Sequence, residues 1–297
     1  AFAPFHGAPW ARASSDRRPL TVVRYPDGIA GESFYQKNLP EHAPPWIRTW
    51  TVLSLESGRP IRYPLCEDLP TLVWLANQAA VELHPWHSRI DRPHYPDWAV
   101  VDLDPAEGAT YRDVIRVALA VKDLLNQLGL RGYPKTSGAT GLHVYIPLQR
   151  LYTYRQVSRF VGHLGQVVAA ALPEIATTER MVRRRTGKVY LDHLQNLPGK
   201  TIVAPYAVRP RPGAPVSTPL TWDEVPSLDP ASLTIKTVPQ RLARVGDLFR
   251  PLLEGGQELT RAFDLWPDLQ EGFASIAPPP AAQTLTERGE PDEPTSQ

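Results

Sequence analysis

The segment WAVVDLDP, residues 98–105, decides how the rest of the chain is interpreted. The apolar run Trp98–Val101 and the terminal Pro105 predict a short buried strand that stops at the proline. Alternate residues of a strand point to the same face, about 6.5–7 Å apart, so Asp102 and Asp104 share one face at the strand end. Two carboxylates at this spacing can hold divalent cations together, and without a cation they would repel each other. The alternative is a pair of solvent-facing acids at the start of a turn.

Helices and strands alternate on both sides of this segment. The strongest helix pattern begins at Thr110, which forms a capping box with Asp113, and ends at Gly129. The other predicted elements are strand Thr49–Ser57, helix Leu69–Leu83, strand Gly141–Leu148, helix Thr153–Leu172, and strands Lys188–Gln195 and Lys200–Val208. This order predicts an α+β fold in which helices pack on one side of a mixed sheet.

The composition restricts the class of protein. The chain has 297 residues, of which 42% are hydrophobic and 21% charged, so it can bury a large core and is not wholly disordered. The single cysteine, Cys66, excludes an internal disulfide framework and a cysteine-based zinc cluster, and it favours a reducing, cytoplasmic location. No apolar run reaches the roughly 18–20 residues of a membrane span, so no membrane partner is expected.

The two ends of the chain differ in composition from its body. Residues 1–20 are rich in Pro, Gly and Arg and predict an irregular segment, whereas the Pro-rich, acidic residues 273–297 predict a disordered tail or linker. Residues 21–272 contain no repeat and are predicted to form one catalytic module. Within them, residues 178–211 carry eight lysines and arginines against two acids. Such a stretch is typical of a solvated face or of a surface that binds an anion such as phosphate.

A glycine-containing loop, KTSGATG at residues 135–141, precedes the strand that contains His143. Its two glycines let the backbone turn its N–H groups inward, and Lys135 and Ser137 add further donors, which favours an anion site. The loop is not a Walker motif because no Gly-Lys-Ser/Thr run opens a helix. His143 alternates with two apolar neighbours and is predicted to lie on the opposite face from them. A structural role for this histidine is the alternative.

Two further segments carry candidate chemistry. In the strand pattern after Arg185, Asp192 would bring a third carboxylate to the site from a separate strand, with cations beside it that suit a triphosphate. An ordinary surface strand is the alternative. Near the N-terminus, RYPDG at residues 24–28 and FYQKN at residues 34–38 interleave basic and aromatic residues, a pattern that suits phosphate contact and base stacking.

Taken together, six segments of this chain resemble the polymerase domain of bacterial DNA ligase D, in the archaeo-eukaryotic primase superfamily. They occur in the family's order and cover roughly residues 20–250. The segments are Arg24–Asn38, His84–Trp86, Val100–Pro105, Lys135–Leu148, Gly187–Asn196 and Lys200–Val225. The resemblance implies a primase-polymerase-type module with a mixed or antiparallel central sheet flanked by helices.

The resemblance also implies a function and a set of site residues. The family's polymerases fill gaps and extend DNA ends in non-homologous end joining, with a preference for ribonucleotides. Carried over by position, the catalytic metal ligands are Asp102, Asp104 and Asp192. The positions associated with the incoming nucleotide are His84, Ser137, His143, Arg185, Gln195 and Arg209. The loop donor Lys135 is added to this predicted nucleotide-binding set. The DNA-binding positions are Lys37, at the 5′-phosphate of the downstream strand, and Phe34 and Tyr35, against the template. Arg24, one residue from a second basic phosphate-binding position, and Asn38 complete the predicted DNA-binding set.

The implied cofactors are two divalent cations, Mn²⁺ in preference to Mg²⁺, and the implied substrates are an NTP or dNTP and gapped or end-paired DNA with a 5′-phosphate. Ku and a DNA ligase are expected partners from the family, at a nucleoid-associated location. One departure is Thr140, which stands where relatives often have a basic residue. Neither a ligase nor a nuclease module is recognised, which leaves open a stand-alone polymerase or one domain of a longer protein. A non-catalytic DNA-end-binding scaffold on the same fold, or a metal-dependent phosphoesterase or glycosyltransferase, remains the alternative.

Overall fold

The computed structural model describes residues 17–54, 57–270 and 284–286. Most of the predicted irregular segment 1–20 and of the predicted tail 273–297 therefore lies outside the described residues. In chain order the strands are β1 (Leu20–Arg24), β2 (Phe34–Gln36), β3 (Thr49–Leu53), β4 (Pro60–Pro64), β5 (Ala80–Pro85), β6 (Trp98–Pro105), β7 (Tyr133–Thr136), β8 (Leu142–Pro147), β9 (Ala176–Thr177), β10 (Val189–Asp192) and β11 (Thr284–Thr286). The helices are α1 (Leu69–Asn77), α2 (Tyr111–Gln127), α3 (Tyr154–Ala171), α4 (Val238–Val245), α5 (Arg250–Glu254) and α6 (Thr260–Leu265).

A mixed five-stranded sheet with the order β7-β8-β6-β10-β9 forms the centre of the molecule. Its pairs are antiparallel except for β9 and β10, which run parallel. The fully buried Val101 and Leu103 of β6 alternate with the acids and belong to the same core as the apolar residues of α2 and α3. The opposite face at this end of β6 therefore carries Asp102 and Asp104, as the alternation predicted.

Both long helices begin with the capping box that favours a helix start. The Thr110 side chain accepts a hydrogen bond from the Asp113 backbone N–H, and Thr153 accepts one from Gln156. Their apolar stripes are fully buried, and burial of each Val, Leu or Phe side chain contributes about 1.5–3 kcal/mol. These two helices and β6 confirm the elements predicted for them. No helix in the described part of the chain has the length and apolar character needed to cross a bilayer.

Three predicted elements are wrong in part or in whole. The helix predicted over Leu69–Leu83 ends at Asn77, because Ala79 takes a φ of 57° and the chain continues as β5. Lys200–Val208 does not form a strand, because Pro205 and the positive φ of Tyr206 turn the chain there. The strand predicted over Lys188–Gln195 ends at Asp192, and a 3₁₀ turn begins two residues later, at Leu194.

Two small sheets complete the fold. One has the order β2-β1-β5 and carries the RYPDG and FYQKN segments, and the other has the order β11-β3-β4. In the second, Thr284–Thr286 pairs antiparallel with β3, so these described residues of the predicted tail form a strand. Strands β1, β2, β4 and β7 were not predicted. They are three to five residues long, which leaves too little periodicity for a sequence pattern to indicate them.

Candidate active site

A row of four polar residues crosses one face of the central sheet. Lys135 pairs with His143, His143 with Asp102, and Asp102 with Asp192, on strands β7, β8, β6 and β10 respectively. Directly paired residues of antiparallel strands have Cα atoms about 4.5–5.5 Å apart, so neighbouring side chains in the row lie close together. Asp104, two residues along β6, pairs with Tyr190. The register therefore brings together the three acids that were predicted to converge.

The acids form a buried concentration of negative charge. Asp102 is only 5% exposed, and burial, followed by the charges of Asp104 and Asp192, raises its pKa well above the ordinary value. Burial and Asp192 likewise raise the pKa of Asp104. Asp102 Oδ1 accepts no hydrogen bond from any described residue, although His143 Nε2 lies 3.3 Å away. A nearby cation would remove the repulsion between these carboxylates and offset the cost of burying their charge.

The acids fit a cation that is shared with a substrate better than one enclosed by protein alone. In the described residues, no group of three or more His, Cys, Asp or Glu side chains is close enough to enclose one ion. Mg²⁺ and similar ions are typically held by one or two carboxylates together with water and substrate phosphate oxygens. The orphaned oxygen of Asp102 and its neighbour Asp192 supply such a partial ligand set.

Asp192 is held by the turn that follows β10. Its Oδ1 accepts hydrogen bonds from the Leu194 backbone N–H at 2.8 Å and the Tyr190 hydroxyl at 3.2 Å, and its Oδ2 accepts one from Gln195 Nε2 at 3.4 Å. Beyond the strand end, the side-chain amide of Asn196 bonds to the backbone of β6. Its oxygen accepts from the Val100 N–H and its nitrogen donates to the Val100 carbonyl, both at 2.8 Å. These bonds fix the third acid against β6.

The loop at residues 135–141 passes close to the backbone of β6. A side chain at Gly141 would place its Cβ 2.2 Å from the Leu103 carbonyl oxygen, and Gly138 has a φ of 70°, so both positions require glycine. Ser137 Oγ accepts hydrogen bonds from the Ala139 and Gly141 N–H groups at 3.1 and 3.0 Å. These two N–H groups, which the sequence predicted to be anion donors, therefore already donate to the Ser137 hydroxyl within the loop.

Lys135 lies beneath the site rather than on its surface. Its side chain is fully buried and donates to Ser217 Oγ, and burial followed by the charge of Arg209 lowers its pKa well below the ordinary value. A direct contact with a nucleotide, as predicted from sequence, would require the side chain to leave this position. From where it stands, Lys135 acts on Asp102 through its charge, which lowers the pKa of that acid.

Glu82 is a buried acid that the sequence reasoning missed. It connects β5 to two other segments, because its carboxylate accepts from the Tyr25 hydroxyl at 2.9 Å and pairs with Arg209 Nε at 2.7 Å. Within β5 it lies 3.5 Å from His84 Nε2. Arg209 in turn donates to the Ser137 carbonyl at 2.9 Å. Burial acts to raise the pKa of Glu82, but the contacts with His84 and Arg209 outweigh it and the pKa is lowered. The sequence signal that could have revealed Glu82 is the Glu-x-His spacing, which places the Glu82 and His84 side chains on one face of β5.

Arg185 lies on the Asp104 side of the site. Its guanidinium stacks over the Tyr190 ring at 3.5 Å, its Nε donates to the Glu179 carbonyl at 2.6 Å, and its charge lowers the pKa of Asp104. The structure therefore places Arg185, Gln195, His143 and Arg209 around the acids.

The predicted DNA-binding residues line the small sheet beside this site. Tyr35 is 68% exposed and its ring meets His84 edge-on at 6.0 Å, while Phe34 is also exposed. Lys37 is exposed at the rim of a pocket that Arg24 and Asn38 also line. These three candidates therefore share one surface next to the two aromatic rings.

Two of these pocket residues are already engaged by the protein. The Arg24 guanidinium donates to the Gln78 carbonyl at 2.5 Å and to Gln36 Oε1 at 3.0 Å, and Asn38 Oδ1 accepts from the Arg62 N–H at 2.8 Å. Lys37 is the cation at this pocket whose amine makes no hydrogen bond or ion pair to another described residue.

Comparisons with known proteins agree with this arrangement. The family model described as LigD, primase-polymerase domain, matches residues 7–249. The bifunctional non-homologous end joining protein LigD of Bacillus subtilis is 40% identical over 231 residues, which are 77% of this chain and 37% of that protein. The multifunctional LigD of Mycolicibacterium smegmatis is 37% identical over 237 residues, which are 79% of this chain and 31% of that protein. The chain thus spans about a third of the length of these relatives.

The fold also matches a solved structure, the polymerase domain of Mycobacterium tuberculosis ligase D in complex with DNA. The TM-score is 0.76 at 34% sequence identity, and the match covers 84% of this chain and 88% of the other. Together with the family model and the order of the segments, this match places the chain in the family of LigD primase-polymerase domains.

Proposed function

We propose that the chain is a template-directed nucleotidyltransferase that fills gaps and extends DNA ends in bacterial non-homologous end joining. The observation that carries the proposal is the row of acids, Asp102 and Asp192 with Asp104 beside them, with nucleotide-binding candidates around the acids and DNA-binding candidates on the adjoining small sheet, where the Tyr35 ring meets His84. The relatives are named for non-homologous end joining, and the structural match contains DNA. A scaffold without catalysis would have no use for buried acids at this electrostatic cost.

The candidate residues have different roles in nucleotide transfer. Divalent cations bound at Asp102, Asp104 and Asp192, Mn²⁺ in preference to Mg²⁺, would offset charge on the phosphates and make the primer 3′-hydroxyl more acidic. Arg185 and Arg209 contribute fixed positive charge near the triphosphate, where it stabilises the leaving pyrophosphate. Ser137, His143, Gln195 and His84 orient the nucleotide. The low pKa that burial imposes on His143 keeps its ring neutral, so it hydrogen-bonds without adding charge.

The DNA substrate is a gapped or end-paired duplex with a 5′-phosphate on the downstream strand. Lys37 meets this phosphate, and Phe34 and Tyr35 stack against the template. A ribonucleotide preference, cooperation with Ku and with a ligase activity, and a place at the nucleoid in the cytoplasm belong to the same proposal.

The proposal is tested by nucleotide addition to a short-gap duplex that has a recessed 3′-hydroxyl and a downstream 5′-phosphate. NTPs and dNTPs are supplied separately with Mn²⁺ or Mg²⁺, and the templating base is varied. We expect addition of the nucleotide complementary to each templating base, with NTPs preferred. Tight DNA binding without addition under any of these conditions would identify a scaffold instead.

The Lys37→Ala variant is expected to lose most of its preference for a phosphorylated gap. Removing the exposed amine deletes one charge-assisted phosphate contact, which contributes about 1.5–3 kcal/mol, equivalent to about 10-fold or more in affinity. The measurement is the ratio of gap affinities with and without the 5′-phosphate. Lys236→Ala, at an exposed lysine in a different surface segment, is the control. An unchanged ratio in Lys37→Ala would contradict the assignment.

The Glu82→Gln variant is expected to raise the KM for the nucleotide by about 10-fold or more, because misplacement of bound groups by about 1 Å is costly. The amide keeps the shape of the carboxylate but removes the charge that pairs with Arg209 and orients His84. Steady-state kinetics with each substrate varied gives the two KM values. The exposed Glu254→Gln is the control. A nucleotide KM equal to that of the control would show that Glu82 has no positioning role.

A further inference from the structure

Beyond Asp192 an open groove runs along the exposed side of α3, and the proposed function does not use it. Arg155 and Arg159 of α3 bound it on one side, and Arg180 with the turn at residues 193–197 bounds it on the other. Its volume is about 510 Å³, within the range of ligand-binding clefts.

The groove is strongly basic. Arg155, Arg159 and Arg180 are exposed, and none of the described residues that line the groove is acidic. Asp268, just outside the lining, accepts from His163 at 2.8 Å and from Arg159 through its backbone carbonyl at 3.2 Å. Arg155 and Arg180 form no ion pair with any described residue. Unbalanced positive charge along a groove attracts a polyanion, and the phosphodiester backbone of a nucleic acid is one.

The groove is rigidly connected to the candidate active site. Its far wall begins at His193, one residue after Asp192, and the Leu194 N–H donates to the Asp192 carboxylate at 2.8 Å. On the α3 side, Ser158 Oγ donates to the His193 carbonyl at 3.1 Å. A strand seated in this groove would therefore be held at a defined distance from the acids.

The order of residues across the sheet gives the groove a direction. Lys135 and His143, with the loop at residues 135–141, lie on the β7–β8 side of Asp102, and Asp192 lies on the β10 side. In phosphoryl transfer the attacking and leaving oxygens are roughly in line on opposite sides of the phosphorus. The groove begins one residue beyond Asp192, so a strand seated in it would reach the acids from the β10 side, across from Arg209 and the loop at residues 135–141.

We propose that this groove binds the sugar–phosphate backbone of the primer strand behind its 3′-hydroxyl. The inference rests on the proposed polymerase function, because it requires a primer hydroxyl as the nucleophile. It assigns phosphate contacts to Arg155 and Arg180, and neither residue belongs to the predicted nucleotide-binding or DNA-binding sets.

The test compares two double variants that change the net charge equally. Arg155→Ala/Arg180→Ala removes two groove cations, and Arg112→Ala/Arg261→Ala removes two exposed arginines of α2 and α6 as the control. Substrates carry an upstream primer of about four or about twelve nucleotides, which spans the usual range of strand-binding site sizes. For the groove variant we expect the KM of the longer primer to rise about 10-fold, with the nucleotide KM unchanged. Loss of two duplex phosphate contacts should also lower the slope of log affinity against log salt by about 1.8.

The outcomes separate this inference from the proposed function. If the wild type adds nucleotides and the two double variants behave alike, the groove assignment is wrong and the polymerase stands. If the wild type adds none, the polymerase proposal fails, and primer–template binding by fluorescence anisotropy over the same salt series still decides the groove. Equal salt slopes for the two double variants overturn the groove, and a lower slope for the groove variant supports it. Both double variants are expected to keep the wild-type Tm, and the single variants replace the pair if its Tm falls.

Discussion

The Asp102→Asn variant is expected to lose nucleotide addition by about 10³-fold or more while its thermal stability rises. Asp102 is buried among Asp104 and Asp192, and its raised pKa shows that the folded protein disfavours its charge. Asparagine keeps the size of the side chain and removes the repulsion. It also removes the buried oxygen charge that a cation and the nucleotide phosphates need.

Two measurements on one preparation check this prediction. Single-turnover addition on the gapped duplex reports the loss of activity, and a thermal melt without metal reports a Tm that is higher by at least about 2 °C for each kcal/mol gained. Asp123→Asn, at an exposed aspartate of α2, is the control and should change neither. DNA binding should be retained. Near-normal addition by Asp102→Asn would remove Asp102 from the chemistry.

The Asp97→Asn variant is expected to lower the free energy of unfolding by about 3–5 kcal/mol, the usual cost of removing one partner of a buried ion pair. Arg18 is fully buried, lies 3.6 Å from the centre of the Trp98 ring, and donates to Asp97 at 2.5 Å. Arg89 pairs with the same carboxylate at 2.9 Å. Without Asp97, the Arg18 charge would remain inside the protein with no counter-ion.

Urea unfolding of Asp97→Asn beside Asp91→Asn measures this effect. Asp91 pairs with Arg150 at the surface, so its loss should change stability by no more than about 0.5 kcal/mol. Equal unfolding midpoints for the two variants would show that the Arg18–Asp97 pair does not hold the fold together.

The same pair gives stability a pH dependence in acid. Burial acts to raise the pKa of Asp97, but the charge and hydrogen bond of Arg18 outweigh it, so the folded-state pKa lies below 3.8. The ionised carboxylate therefore stabilises the fold fully above the unfolded pKa of about 3.9, and this contribution is lost as the pH falls through the lower folded value. In Asp97→Asn that part of the acid dependence should disappear.

The acidic part of the site could be predicted because it depends on local alternation. Asp102 and Asp104 are two residues apart on one strand, and His143 alternates with buried neighbours, so their faces follow from the strand period alone. That Asp192 pairs with Asp102 depends on the register between β10 and β6, which no local pattern contains. The strand pattern made Asp192 a candidate third acid, with an ordinary surface strand as the alternative, and the resemblance to known polymerases then assigned it to the site.

The rest of the site depends on contacts between distant segments. Glu82 was missed because Ala80–Leu83 continues a helical spacing of apolar residues, and only the turn at Ala79 and the pairing of β5 with β1 make it a strand. The burial of Lys135 against Ser217 could not be inferred, because the two residues are 82 positions apart. Both features are tertiary, and tertiary packing overrides local propensity.

The central claim is that the acids of β6 and β10 bind a divalent cation together with nucleotide phosphates. Electron paramagnetic resonance of Mn²⁺ tests it directly, because the signal of the free ion falls as the ion is bound. With a non-hydrolysable nucleoside triphosphate present, we expect the wild type to remove more free Mn²⁺ than the nucleotide alone does, and Asp102→Asn to remove no more than the nucleotide alone. Equal Mn²⁺ binding by the two proteins would contradict the claim.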